Sequence, residues 1–357
     1  MSPPSTERGL SLVELMVGMA LGLVLTLGLV SILGSASRNF RVQDDFARLQ
    51  ESGTAALRYL GEDLRQAGFY GWAGSASSYQ YANPALYGLP SSWSADCGSK
   101  DAATDRPWAL DLATPLRVEA PGADLSGYSC LNSANILSTS PLVVLRGASG
   151  EAIPVAELAN KPFKDLLMVQ SSPLSSPNTV VFKGSAYAST MPAGAKRYGA
   201  AGAEAAVFPY SAHLYYVRPC NRGSSGVCDS TSDNGQPVPT LARQELTGTT
   251  WSEVPLVEGI ERMSLLFGED TNNDGLADRF STTPGNWNRI LSARVAVLVR
   301  SLHPVAGRDD SGRTYDLGGG VTYTCSGTAC QYVRQVFSQT VQLRNCAQRL
   351  TAGAGQC

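Results

Sequence analysis

The sequence predicts an α+β fold: one long N-terminal helix, transmembrane first and amphipathic after, packed on an antiparallel β-sheet domain with a loop-rich insertion. Three observations predict it. From Leu10 to Leu33 the only charge is Glu14, and about 20 apolar residues span a bilayer as a helix. Beyond that run, Val42, Phe46, Leu49, Gly53, Ala56, Leu60, Leu64 and Ala67 recur at steps of three and four, which is one helical stripe. After Gly68 only short strand-like runs follow, and strands after a single helix point to α+β with the sheet covering the stripe.

Glu14 is the most informative residue. A carboxylate in an apolar span is costly, so its default reading is functional, with a cationic partner. Cutting after Gly9 would place a free amine on Leu10 and make Glu14 the fifth residue of the new chain. The amine of a neighbouring copy can then meet that carboxylate. Met1–Gly9 is polar and contains proline, and the apolar run follows it, unlike the short core and late cleavage site of a secretory signal peptide. The Ser11–Glu14 spacing of a capping box lies inside the anchor and is set aside.

The helix is expected over Leu10–Ala67, about 85 Å at 1.5 Å per residue. Arg41, Asp44, Asp45, Arg48, Glu51, Arg58, Glu62 and Arg65 fill its other faces, and Gly68 is its stop signal. Residues 71–140 are rich in Gly, Ser, Ala and Pro, and read as an irregular insertion. Strands are expected at Leu142–Arg146, Leu166–Gln170, Thr179–Lys183, Leu214–Arg218, Leu256–Phe267, Leu291–Arg300 and Phe337–Leu343. The expected domains are a leader over 1–9, an anchor over 10–33, an amphipathic continuation over 34–68 and a β-rich, disulfide-bonded domain over 69–357.

Net charge is −2. With no basic excess, no direct nucleic-acid ligand is predicted. The eight cysteines all follow the anchor, and an even count on one side of a membrane fits disulfides in an oxidising compartment. Short spacings suggest Cys220–Cys228 and Cys325–Cys330; Cys97–Cys130 and Cys346–Cys357 follow by elimination. The rival, zinc, wants close Cys pairs or nearby His. No Cys-x₂-Cys occurs, and the two histidines are His213 and His303. His213, in an aromatic strand-like run, reads as structural, and His303 before Pro304 as a loop residue. No catalytic constellation or organic-cofactor motif stands out; Gly318–Gly320 lacks the Lys-Ser/Thr of a phosphate loop. The chain is not expected to be an enzyme.

One segment carries metal chemistry. Asp270, Asn272, Asp274 and Asp278 place oxygens at relative positions 1, 3, 5 and 9, with the Leu276 carbonyl at position 7 and Gly275 at position 6. This matches the first nine positions of an EF-hand-type calcium loop. Position 12 is Ser281 rather than the bidentate Glu, so a weak calcium site is expected. The competing reading is an Asn/Asp/Gly hairpin turn.

Gly9-Leu10-Ser11-Leu12-Val13-Glu14-Leu15-Met16 resembles the prepilin cleavage and methylation motif of type IV pilins and pseudopilins. Arg48–Gly53, Asp63–Arg65, Ala67–Tyr70, Tyr215–Cys220, Val257–Glu261, the Gly268–Gly275 loop and Leu343–Asn345 resemble the PilW-like branch of minor pilins. The resemblance implies a pilin-like globular domain, cleavage between Gly9 and Leu10 by the prepilin peptidase, N-methylation of Leu10, and Glu14 as the assembly residue. It also implies a single-pass inner-membrane protein with a periplasmic C-terminus, later placed in the pilus at the cell surface. Ser31 stands where major pilins carry a kinking proline, which fits a minor subunit. Expected partners are other minor pilins and pilus subunits, the peptidase, inner-membrane lipid and a pilus-tip adhesin. The expected function is assembly of the tip or priming complex, with twitching, adhesion or DNA uptake downstream. The alternatives are a minor pseudopilin of type II secretion and a membrane-anchored calcium-dependent adhesin.

Overall fold

The computed structural model describes residues 11–71, 84–90, 93, 96–100, 102, 106–175, 178–189, 191, 193–199, 202–223 and 226–345. One α-helix, α1, covers Leu12–Gln66. The chain divides into two compact units after Arg48, so the last turns of the helix belong to the body.

In the first unit Leu12–Gly34 is long and apolar enough to cross a membrane, with mean hydropathy 2.4 and none of it buried within the chain. The polar group of Thr26 is met inside the helix, where its hydroxyl donates to the Leu23 carbonyl at 2.9 Å. That local bond removes the cost of an unpaired hydroxyl in hydrocarbon.

In the body the strands run β1 Leu116–Glu119, β2 Leu142–Ala148, β3 Leu167–Ser171, β4 Thr179–Lys183, β5 Val207–Arg218, β6 Thr240–Thr247, β7 Thr250–Glu258, β8 Ile260–Glu269, β9 Arg279–Ser281, β10 Ile290–Arg300, β11 Thr314–Asp316, β12 Thr322–Thr324 and β13 Arg334–Gln342. They form a seven-stranded sheet ordered β1-β2-β5-β3-β4 with β6 joining β5 to β7, a four-stranded sheet ordered β13-β10-β8-β9, and the β11–β12 hairpin. All the ladders are antiparallel.

One apolar core joins both larger sheets to the helix. Leu49, Ala56, Leu60 and Leu64 are buried there with Val143 and Tyr215 of the first sheet and Met263, Val295 and Val341 of the second. From Leu49 onward, the period-3.6 stripe that the sequence displays is therefore the surface on which both sheets close; its first two members do not join that core, and Phe46 is 42% exposed. The helix ends at Gln66, and the next N–H groups have partners: Ala67 donates to the Asp63 carbonyl and Gly68 to that of Arg146.

Two expectations are corrected here. Leu256–Phe267 is not one strand. Gly259 has φ +82°, and a Cβ there would stand 2.7 Å from the Arg300 carbonyl oxygen, so the chain breaks between β7 and β8. Strand β1 lies inside the stretch read as irregular, and β6 was not expected at all.

Candidate functional site

Glu14 sits in the first turn of α1. The Ser11 N–H donates to Glu14 Oε2 at 3.0 Å, and the Val13 N–H donates to Ser11 Oγ at 3.3 Å. The two side chains thus cap the helix reciprocally. The spacing set aside in the sequence is a working capping box, because α1 begins at Leu12 and Ser11 is its cap rather than an interior residue. A carboxylate at a helix N-terminus is also favoured by the helix dipole. Around it the flank is bare: Leu12 is 74% exposed and Met16 62% exposed. A charged group on an uncovered apolar helix is suited to pairing with a cation from a neighbouring chain. Gly9 and Leu10 lie outside the described residues.

The Asp270–Asp278 segment forms the turn between β8 and β9. Asp270 is buried; its carboxylate accepts from the N–H groups of Asn273 at 2.6 Å and Gly275 at 2.9 Å. Those two residues have φ +67° and +86°, which curls the chain around the carboxylate. Asp274 accepts from the Leu276 N–H at 2.8 Å. The Asn272 amide donates to Asp274 at 3.1 Å and to Asp278 at 3.3 Å. The Thr271 hydroxyl and N–H, both donating at 2.7 Å, hold the Asp278 carboxyl below the usual carboxylate range. Three carboxylates crowd this turn, and it supplies each with donors. Leu276 is 69% exposed. Among the described residues no group of three or more Asp, Glu, His or Cys side chains converges as a metal-ligand set would. The loop is thus a turn whose carboxylates are met by donors of its own.

Three disulfides staple the body: Cys97–Cys130, Cys220–Cys228 and Cys325–Cys330. Cys346 and Cys357 lie outside the described residues. His303 has Nδ1 3.4 Å from Gln236 Oε1.

Sequence reasoning missed two polar clusters. Asp63, on α1, meets His213 and Tyr215 of β5, each at 2.5 Å. Glu261 of β8 and Arg334 of β13 pair through two hydrogen bonds of 2.6 and 3.1 Å; the guanidinium is fully buried. Such two-point pairs fix geometry as well as charge. Their partners are far apart in sequence, so no local pattern announces them. For the second pair the signal was charge placed within the strands, Glu261 in β8 and Arg334 in β13.

Residues 4–30 match the prokaryotic N-terminal methylation motif. Residues 215–345 match the family model of type IV pilus-assembly protein W. The chain carries a PilW-like region behind a prepilin-type N-terminus. The second match starts within β5 at Tyr215 and takes in the 270–278 turn and the Glu261–Arg334 pair. A structure of a type IV-like pilin from Thermus thermophilus is similar at 13% identity, over 38% of this chain and 79% of that one, with a TM-score of 0.18. No curated protein matches the chain. As a pilin it is membrane-anchored, works with other pilus components and is a substrate for prepilin processing.

Proposed function

We propose that this pilin is a minor subunit that enters the tip or priming complex of a type IV pilus and supports filament growth. One observation carries the reading: Glu14 is the only charge between Leu10 and Leu33, on a helix whose apolar residues over Leu12–Gly34 are not buried among the described residues. Trimming 1–9 between Gly9 and Leu10 and methylating Leu10 would leave a new amine four residues before that carboxylate. Glu14 of one subunit then pairs with the terminal amine of the next. In a low-dielectric environment such a pair offsets the penalty that each charge alone would carry. The body, held by disulfides, stays in the periplasm until assembly carries it outward with the pilus. Partners are other minor pilins, pilus subunits and a tip adhesin; twitching, adhesion or DNA uptake follow downstream. A body this bulky suits a tip position better than close stacking along a shaft.

Calcium binding at Asp270, Asn272, Asp274, Leu276 and Asp278 is a separate proposal. Its support is the ligand spacing and the tight curl at Gly275. An ion there would require the Asn272 amide to turn its oxygen inward.

The test is a strain lacking the gene, scored for surface pili and for attachment. Loss of pili supports the assembly role. Intact piliation with attachment alone lost would replace it with the anchored-adhesin reading.

A further inference from the structure

The Cys220–Cys228 bridge sits at the start of the connection from β5 to β6. Arg218, the last residue of β5, reaches both of its sulfurs. Nη2 lies 3.9 Å from Cys220 Sγ and 3.8 Å from Cys228 Sγ. The Arg218 side chain is 6% exposed, and its Nη1 pairs with Glu253 at 2.6 Å. Glu253 also accepts from the Tyr216 hydroxyl at 2.5 Å. The carboxylate is thus engaged at Nη1 and Tyr216, while Nη2 faces the sulfurs. A guanidinium beside a cysteine favours the thiolate over the thiol, and burial leaves that attraction little screened.

The other two bridges are set differently. Cys325 Sγ lies 3.4 Å from the Asp310 carbonyl oxygen, which would repel a thiolate. Cys97 is fully buried in an apolar cluster with Tyr128, Leu142 and Val144, and its N–H donates to the Asp96 carboxylate at 2.8 Å. Apolar burial and a neighbouring anion both disfavour charge on sulfur. Within the Cys220–Cys228 bridge the two sulfurs differ as well. Cys220 is fully buried and Cys228 half-buried, so an incoming thiol meets Cys228. The flanks of the bridge are held independently of it. Asn135 donates to the Gly226 carbonyl at 2.7 Å and accepts from the Cys228 N–H at 2.9 Å. Asp233 accepts from the N–H groups of Asn221, Arg222 and Val238 at 2.9, 2.6 and 2.9 Å. The sulfurs can therefore part without the sheet opening.

We propose that Cys220–Cys228 is a thiol–disulfide exchange site, opened reversibly by a dithiol while the other two bridges stay closed. One thiolate of the dithiol attacks Cys228 Sγ, and the Cys228–Cys220 bond breaks. Cys220 takes the electron pair and leaves as a thiolate beside Arg218 Nη2. A sulfur leaves faster when its thiolate is better stabilised. The second thiolate of the dithiol then attacks the dithiol sulfur of the mixed disulfide and releases Cys228. Two electrons pass from the dithiol, which closes to its own disulfide. Its two protons go to Cys228 and to solvent, and the reverse sequence closes the bridge.

The test uses the full chain in detergent, with free thiols first blocked by alkylation. The protein is equilibrated in dithiothreitol buffers of graded reduced-to-oxidised ratio and quenched in acid. Newly opened cysteines are then alkylated with a heavy reagent and mapped by mass spectrometry. Cys220 and Cys228 should be labelled at a ratio about tenfold or more below that which opens Cys97–Cys130 or Cys325–Cys330. Glutathione, which has one thiol, should be trapped as a mixed disulfide on Cys228. Arg218→Met combined with Glu253→Gln removes both charges together, and should raise the ratio needed at Cys220–Cys228 about tenfold. Another bridge opening first, or all three opening together, overturns the proposal. So does glutathione on Cys220, or a double variant that opens at the native ratio. The order of opening and the glutathione position are read on the native sequence, so they decide the matter even if the double variant fails to fold.

Discussion

Asp63 Oδ2 stands 2.5 Å from His213 Nδ1 and 2.5 Å from the Tyr215 hydroxyl, with the Arg243 guanidinium 4.0 Å away. This ties the end of α1 to the middle of the seven-stranded sheet. Burial pushes the Asp63 carboxyl up, but the hydrogen bond and charge of His213, the bond from Tyr215 and the charge of Arg243 outweigh it and hold it below the usual range. The carboxylate thus binds its proton less readily folded than unfolded. Its contribution is complete above the ordinary carboxylate value of about 3.9 and is lost as pH falls through its lower folded value. Asp63→Asn should cost ~1–3 kcal/mol at pH 7, and the gap to the native chain should close towards pH 2. Melting both proteins across that range checks it; a gap that stays constant with pH would contradict the linkage.

Gly53 lies under the Phe337 ring, and a Cβ there would overlap it. Gly→Ala in a helix interior gains about 1 kcal/mol from propensity, while overpacking costs ~1–3 kcal/mol. The close approach should win. Gly53→Ala is expected to lower the melting midpoint, and adding Phe337→Leu to restore part of it. A midpoint raised by Gly53→Ala alone would show that the ring moves aside freely.

The helix was legible because its stripe is local: Leu49, Ala56, Leu60, Leu64 and Ala67 announce a face by spacing alone, and all are buried. Strand β6 was not, because Arg243 and Gln244 look like surface residues. Arg243 is held by Tyr215 and Glu245, and Gln244 donates to the Cys130 carbonyl. Tyr215 and Cys130 come from distant parts of the chain. The Asp63–His213 contact spans 150 residues, so no window of sequence contains it. At the N-terminus Glu14 stood out by being alone, whereas its capping role depended on where the helix begins. In the 270–278 turn the oxygen spacing was plain, but the donors that satisfy those oxygens are backbone N–H groups, which sequence does not display.

If the 270–278 turn takes calcium, stability should rise by mass action, about 2.7 kcal/mol at a hundredfold excess over the dissociation constant. Magnesium should substitute poorly, since it demands tight octahedral geometry. Asp274→Ala should abolish the response. Thermal melts of the full chain in detergent with calcium, with magnesium and with chelator decide it. Coincident midpoints, or a response that survives Asp274→Ala, would reduce the segment to its turn.

The central claim is that Glu14 joins this subunit to its neighbours. The direct measurement is a count of surface pili in a deletion strain complemented with Glu14→Ala, with membrane levels of the variant followed alongside. Removing the charge eases insertion by a few kcal/mol, so the variant should reach the membrane at normal or higher levels. Pili should nevertheless be few or absent, because the partner of the neighbouring terminal amine is gone. Full piliation by a strain whose only copy carries Glu14→Ala would contradict the account.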